Sequence, residues 1–418
     1  MDADAYSLSL LHFVRLSSFG GVQWQFEAFA QYSARVFNTA HDVMACSKEV
    51  HPLVWPVIAN QCRSLRYDNQ IRGLRLSKRM FGVKRCYLAH TVRRTDPDAI
   101  VLWDRVEQFS NLTSRAVDRC IYWEHGSSWT QRRYSKERNN MLRHVSCALA
   151  NSYAAKRILQ LKWGYTGDIA VCLNAVRPNV RPVNPSSKSL PVNRPVRIGV
   201  AAKLVAFKAI QMALHVFKHL LALGLDASLQ VAGDGPERAR LVALAERLGI
   251  AEHVVFHGFV ADMGGFYANI ECLLHTSVSE PFGGVLVEAM AYGCPVFCPA
   301  VDGMAEIVDD NDNGLLLSPV LAITDFSALG GESQALPPLV YRPDSDSIDV
   351  PMLIDPETSA FRISAILKDA KAFERMSRSA LFTSQTRFAY HRHADDVYKA
   401  LSRFRRERRV TLHNRNTP

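Results

Sequence analysis

The stretch that most constrains this chain runs from Thr276 to Glu306 and reads T-S-V-S-E-P-F-G-G-V-L-V-E-A-M-A-Y-G-C-P-V-F-C-P-A-V-D-G-M-A-E. Glu280 and Glu288 bracket seven residues that hold Pro281, Phe282, the pair Gly283-Gly284 and Val285, and a helical pattern then continues to Gly293. A helix entered through two glycines leaves backbone N–H groups unpaired at its start, and with the helix dipole these form a site for phosphate oxygens. The periodicity puts Glu288 one turn into that helix and Glu280 on the loop before it. A carboxylate is a poor ligand for phosphate, because like charges repel, but a good acceptor for sugar hydroxyls. The pattern therefore predicts a ligand in which a sugar is joined to a phosphate.

The rest of the chain alternates short apolar runs with helical periodicity, which predicts an α/β class with parallel sheets. Leu10–Val14 reads as a buried strand, followed by a loop with Gly20, Gly21 and Gln23 and then the helical pattern W-Q-F-E-A-F-A-Q-Y. Strand, glycine loop and helix follow one another in the phosphate-binding order. The strand Cys120–Trp123 delivers Glu124-His125-Gly126 to a loop at its carboxyl end, where open α/β sheets bind ligands. Val196–Val200 leads into Ala202-Lys203-Leu204 and Lys208-Ala209, and A-S-L-Q-V-A runs into Gly233-Asp234-Gly235-Pro236. At 418 residues the chain suits two cores rather than one, and the five prolines from Pro178 to Pro195 mark a linker between them.

No run approaches the ~20 apolar residues of a spanning helix. The start, M-D-A-D-A-Y-S, lacks the order of a signal peptide, so a cytoplasmic protein is expected. Nine scattered cysteines without a C-x-x-C pair read as buried reduced thiols. Charge is uneven: residues 1–190 hold 27 Lys+Arg against 14 Asp+Glu, leaving 23 against 26 for the remainder. The basic half predicts an anionic partner, either a phosphorylated acceptor or a membrane surface; nucleic acid is not expected, because no recognised binding motif accompanies the charge. Arg72, Arg75, Lys78 and Arg79 would share one face of an amphipathic helix suited to lying on an anionic leaflet. Arg132, Arg133, Lys136, Arg138 and Arg143 form an acceptor-side basic cluster or a solvated helix face.

The spacing Glu280-x7-Glu288, with Pro-Phe-Gly-Gly inside it and Ala291-x-Gly293-x-Pro295-Val296 beyond, resembles the signature of family 4 of the retaining glycosyltransferases. The resemblance implies the α/β fold called GT-B, two Rossmann-like domains facing each other across an interdomain cleft. It implies an acceptor-binding domain at 1–180, a linker at 181–195, a nucleotide-sugar-binding domain at 196–387 and, at 388–418, a helix crossing back with a basic tail. In its terms Glu280 contacts the transferred sugar, Glu288 the ribose, His125 lies beside the donor sugar, and Lys203 and Lys208 neutralise the leaving diphosphate. Gly20, Gly21, Gly233, Gly235, Pro281, Phe282, Gly283, Gly284 and Val285 line the donor.

This sequence departs from the pattern at several points. Gln23 stands for a Glu, Ala202 and Ala209 stand for glycines, and Asn174-Ala175-Val176-Arg177 stands for Asn-Gly-Val-Asp. An insertion, expected as a loop, occupies about 319–352.

The implied reaction is sugar transfer from a nucleotide-diphosphate donor with retention, without metal or any cofactor beyond the nucleotide-sugar co-substrate. The basic half suggests a glycan or lipid-linked glycan acceptor, as in lipopolysaccharide core or O-antigen assembly, at the inner face of the membrane. The alternatives are a catalytically silent sugar-nucleotide-binding partner, a GT-B epimerase or a phosphorylase.

Overall fold

A computed structural model describes residues 8–17, 20–46, 49–68, 70–71, 74–76, 80–104, 112, 114–130, 135–332 and 336–411. Arg72, Lys78, Arg79, Arg132 and Arg133 lie outside the described residues. The chain divides into two compact units, residues 1–173 with 391–418 and residues 174–390.

The first unit is built on a parallel seven-stranded sheet. In chain order come β1 (Ser9–Val14), α1 (Gly21–Phe37), β2 (Ala40–Ala45), α2 (Trp55–Gln61), β3 (Cys62–Tyr67), the short pair β4 (Gln70–Ile71) and β5 (Leu74–Arg75), and α3 (Phe81–Thr95). Then follow β6 (Ala99–Trp103), α4 (Ser114–Val117), β7 (Cys120–Glu124), α5 (Ser127–Thr130), α6 (Ser135–Leu142), β8 (Cys147–Ala150), α7 (Tyr153–Trp163) and β9 (Asp168–Val171). The sheet order β3-β2-β1-β6-β7-β8-β9 reverses direction between β1 and β6. Runs such as A-I-V-L-W in β6 are buried on both faces, as strands of a covered parallel sheet must be.

The predicted amphipathic helix near Arg75 is replaced, among the described residues, by the antiparallel pairing of Gln70 with Arg75 and Ile71 with Leu74. Leu74 is exposed, so an apolar stripe here has no core to bury against, and without tertiary burial a short helix gains little.

The second unit repeats the plan with a parallel six-stranded sheet. It contains β10 (Val196–Ala201), α8 (Ile210–Ala222), β11 (Ala227–Ala232), α9 (Arg238–Arg247), β12 (Val254–Gly258), α10 (Met263–Ala268), β13 (Cys272–Leu274), α11 (Gly284–Ala291), β14 (Val296–Pro299) and β15 (Gly314–Leu317). The sheet order is β12-β11-β10-β13-β14-β15, which reverses between β10 and β13.

Residues 319–352, expected as a loop, carry strands. β16 (Pro319–Ala322) pairs antiparallel with β19 (Met352–Ile354), and β17 (Val340–Arg342) with β18 (Ser347–Asp349). Helices α12 (Pro356–Leu367) and α13 (Ala370–Thr386) close the unit. Each starts at an aspartate, Asp355 or Asp369, whose side chain accepts from the first-turn amides.

Residues 178–195, expected as a linker, are tied onto this second unit. The Lys188 ammonium donates to the carbonyls of Tyr267 and Ala268 at 2.9 Å each, and Arg194 makes a two-pronged pair with Glu271. The last helix, α14 (Tyr390–Glu407), turns His393, Ala394, Val397, Ala400, Leu401 and Phe404 inward, and its apolar residues join the core of the first unit. No helix among the described residues is long and apolar enough to cross a membrane. Among the described residues no disulfide forms, and six cysteines, including Cys294 and Cys298, are buried.

Candidate functional site

In the second unit the loops after β10 and β13 leave the carboxyl ends of neighbouring strands where the sheet order reverses, the crevice at which open α/β sheets bind ligands. The first loop ends in Lys208, the second in Glu280, and the two side chains form an ion pair. Both are largely buried. Burial by itself would raise the Glu280 pKa, but the Lys208 ammonium and the adjacent His275 outweigh it and hold the carboxyl at about 2. His275 Nε2 lies 3.4 Å from the same carboxylate. Burial lowers the pKa of this histidine, and the Glu280 carboxylate opposes that shift.

Gly283 adopts φ +107°, which favours glycine, and turns the chain into α11. A Cβ on Gly284 would meet nothing within 4 Å, so the helix entrance is open on that side, as an anion site requires. Phe282 is buried against Phe388, with ring centroids 5.9 Å apart. Val285 and Pro281 are partly exposed beside the entrance.

Glu288 is 3 % exposed and is already engaged. It accepts a two-pronged pair from the Arg177 guanidinium and a 3.1 Å hydrogen bond from the Tyr267 hydroxyl. Sequence reasoning missed both partners. The signal for Arg177 was its place in Asn174-Ala175-Val176-Arg177, where an acidic residue was expected and a cation stands instead.

Lys203 is exposed, and no ion pair involves it among the described residues, so Lys208 reaches Glu280 and Lys203 does not. Gly233 and Gly235 are required by packing: a Cβ on either would overlap the backbone carbonyl of Ala202 or of Leu204. They press the β11 loop against the loop that leads to Lys208. Ala209 takes φ +49° while fully buried, in the left-handed region where a glycine was expected, at a cost of about 1 kcal/mol.

In the first unit, Gly20 caps α1 in extended backbone, and a Cβ on Gly21 would meet nothing within 4 Å. Gln23 donates to the Arg15 carbonyl at 2.7 Å, bracing the loop after β1. His125 lies flat against Trp103, with centroids 5.1 Å apart and planes at 4°. Its amide donates to Asp104 at 2.9 Å, and its buried Nε2 has no partner among the described residues. Burial lowers its pKa to about 3, so the ring is neutral.

Below His125, Glu124 accepts from the amides of Gly126 and Ser128 at 2.7 and 3.0 Å and pairs with Arg138 at 3.0 Å, both side chains wholly buried. Burial, reinforced by the charge of Glu124, raises the Asp104 carboxyl above its usual range.

A second buried chain lies alongside. The Trp103 indole donates to His12 Nδ1 at 3.0 Å, which leaves the proton of neutral His12 on Nε2, 2.9 Å from His41 Nδ1. The His41 proton is then on Nε2, facing Ser33 Oγ at 3.1 Å, and Ser33 donates to the Phe29 carbonyl. Burial lowers all four of the first unit's interior histidines: His12 well below its usual value, His41 and His393 to about 4 and His125 to about 3.

These groups bind protons in the unfolded chain near pH 6.5 and in the folded unit only well below it. Stability is therefore full above pH 6.5 and is lost as the pH falls toward 4, at about 1.4 kcal/mol per pH unit for each histidine. Thermal melts between pH 7.5 and 5 are expected to show the first unit weakening steeply, and His41→Asn should flatten that slope. An unchanged slope would show that the histidines take up their protons without unfolding.

Two parallel-sheet Rossmann-like units, each with a reversal in its strand order, make up the GT-B fold. A solved glycosyltransferase from Rickettsia africae superposes with a TM-score of 0.73 at 15 % identity, over 96 % of this chain and 99 % of that one. The Anabaena protein HepE, solved in complex with UDP and glucose, superposes at 0.65 with 20 % identity, over 94 % and 99 %. Residues 185–329 match the family model described as glycosyl transferases group 1. Over 252 residues, 60 % of this chain and 68 % of its relative, the sequence is 25 % identical to the lipopolysaccharide core biosynthesis glycosyltransferase LpsE of Rhizobium meliloti. The next three curated relatives match over shorter stretches, 32 %, 25 % and 28 % of their own lengths.

Proposed function

We propose that this chain is a retaining glycosyltransferase of family 4 type, moving a sugar from a nucleotide-diphosphate donor to a glycan. The observation that carries the reading is Glu280, held ionised against Lys208 at the sheet's switch point beside the open entrance of α11. The ionised carboxylate accepts from sugar hydroxyls, while Lys208 and the amides of Gly284 and Val285 face the diphosphate. Glu288 holds the ribose, with Arg177 and Tyr267 fixing its orientation.

As the bond from the anomeric carbon to the diphosphate oxygen breaks, an acceptor hydroxyl attacks the same face, and its proton passes to the departing oxygen. Lys208, joined by Lys203 from the same loop, and the helix dipole stabilise the charge on that oxygen, the part a metal ion plays in other folds. The basic first half and the similarity to LpsE support a lipid-linked, phosphate-bearing acceptor of lipopolysaccharide type, met by a peripheral enzyme at the cytoplasmic membrane face.

A thermal-shift panel of UDP-, GDP-, ADP- and dTDP-sugars on wild type and Glu288→Ala tests this. A donor at 100 times its Kd adds about 2.7 kcal/mol to wild type, and the variant should lose that gain. A panel with no shift would remove the donor reading. One observation favours a second reading: Arg177 already occupies Glu288, as a protein that binds sugar nucleotides without turning them over could tolerate. Release of free sugar from the donor by the purified protein separates the two.

A further inference from the structure

The Asp302 side chain links the strands between β15 and α12 to the loop that carries Glu280. This residue is fully buried and stands at φ +49°, a region that aspartate enters more readily than most side chains but glycine enters freely. Its carboxylate overdetermines that position. Oδ2 accepts from the Ser279 hydroxyl at 2.7 Å and from the Glu280 amide at 3.1 Å, and Oδ1 accepts from the Tyr341 amide at 2.7 Å. The next residue, Gly303, donates its amide to the Glu280 carbonyl at 3.1 Å, and a Cβ there would overlap the Pro281 carbonyl. The Glu280 backbone is thus clasped on both its N–H and its C=O by the turn 302–303. That turn is in turn held by β17. The partners of Glu288, by contrast, are Arg177 and Tyr267, and neither belongs to this network.

We propose that Asp302 is a positioning residue for Glu280, and that β17, through the Tyr341 amide, makes the insertion part of the machinery that recognises the donor's sugar rather than its nucleotide. This rests on the assignment of Glu280 to the sugar. The physical reason is leverage. A carboxylate that selects among sugar hydroxyls must be fixed within a fraction of an ångström. Its loop is held on one side by the Phe207 carbonyl, which accepts from the Val278 amide at 3.0 Å and the Ser277 hydroxyl at 3.2 Å, and on the other by Asp302. The insertion supplies the second of these anchors, from outside the sheet, through the Tyr341 amide.

Three substitutions in the full-length chain separate the contributions. Asp302→Gly suits the backbone angle and removes all three hydrogen bonds. Tyr341→Pro deletes that N–H, together with the ring and the hydroxyl that donates to Asp346 at 2.9 Å, and leaves Asp302 in place. Asp302→Asn keeps a single carbonyl oxygen, which can face either Tyr341 or the Ser279–Glu280 side but not both. Titration calorimetry with UDP, GDP, ADP and dTDP, each alone and as its glucose conjugate, reads the outcome.

The Gly and Pro variants are expected to bind the diphosphate within about twofold of wild type and the glucose conjugate about tenfold more weakly, with the Asn variant between. In donor turnover the same variants should lose kcat while KM for the nucleotide portion changes little. If wild type prefers a conjugate and either the Gly or the Pro variant keeps that preference intact, the positioning role falls and the donor reading stands. Should wild type bind none of the conjugates, the donor reading falls and takes this proposal with it. If Asp302→Gly does not fold, Tyr341→Pro decides the matter alone.

Discussion

Lys208→Ala is expected to lower donor turnover about a thousandfold, the scale of losing one preorganised group that meets charge developing in the transition state. Two consequences of the same ion pair make the prediction specific. With Lys208 present, Glu280 stays ionised down to about pH 2. Without it, burial acts on the carboxyl with only His275 to oppose it, so its pKa must rise. The residual activity of Lys208→Ala should therefore acquire an acid limb that the wild type lacks over the working pH range.

Lys208→Arg, which keeps the charge but changes its reach, should recover part of the rate and remove that limb. Lys203→Ala removes an exposed side chain outside any ion pair among the described residues, and a loss of no more than about tenfold is expected. Equal losses at the two lysines would show that the diphosphate, rather than Glu280, sets the role of Lys208. Stopped assays of donor consumption from pH 5 to 9 settle the comparison.

Why Lys208 and Glu280 were legible while their surroundings were not is a matter of range along the chain. The glycine pair, the two glutamates and the helix they open are contiguous, and the conformational demand of Gly283 is local. The alternation of strands and helices likewise fixes a parallel α/β fold. Partners brought together by the sheet leave no such trace. Arg177 reaches Glu288 across 111 positions, and Trp103 reaches His12 across 91. His12 and His41 lie in strand runs whose burial is evident, yet nothing in those runs says that the two imidazoles meet each other.

The strands of the insertion escaped notice because each is three or four residues long, too short to show alternation. The glycines differ in what stands opposite them. Gly233 and Gly235 face main chain, whereas Gly21 and Gly284 face open space, and a sequence shows the residue but not what stands opposite it. The departures proved more telling than the matches. Ala209 accepts the left-handed angle where a glycine was expected, and Arg177, in place of an acid, holds the second glutamate.

The largest effect on stability is expected at Arg138. Its guanidinium donates to the Tyr122 hydroxyl and to Ser128 at 2.6 Å each and to Glu124 at 3.0 Å, also meets Ser127, and lies 5.2 Å from the Trp163 ring. Arg138→Met keeps the bulk and strands Glu124 without a cation in an interior where neither side chain touches water. Breaking a buried pair in this way costs about 3–5 kcal/mol, and for a unit of this size the melting temperature should fall on the order of 10 °C.

The loss is electrostatic rather than steric, so adding Glu124→Gln to Arg138→Met should return much of it, whereas Glu124→Gln alone should destabilise less than Arg138→Met. Glu124 also gathers the amides of Gly126 and Ser128, so the loop bearing His125 loosens with it. Hydrogen exchange at residues 125–128 should accelerate in Arg138→Met at temperatures where the sheet is still protected. If the double variant is no more stable than Arg138→Met, the arginine serves chiefly through its packing on Trp163, and the charge of Glu124 is of little account.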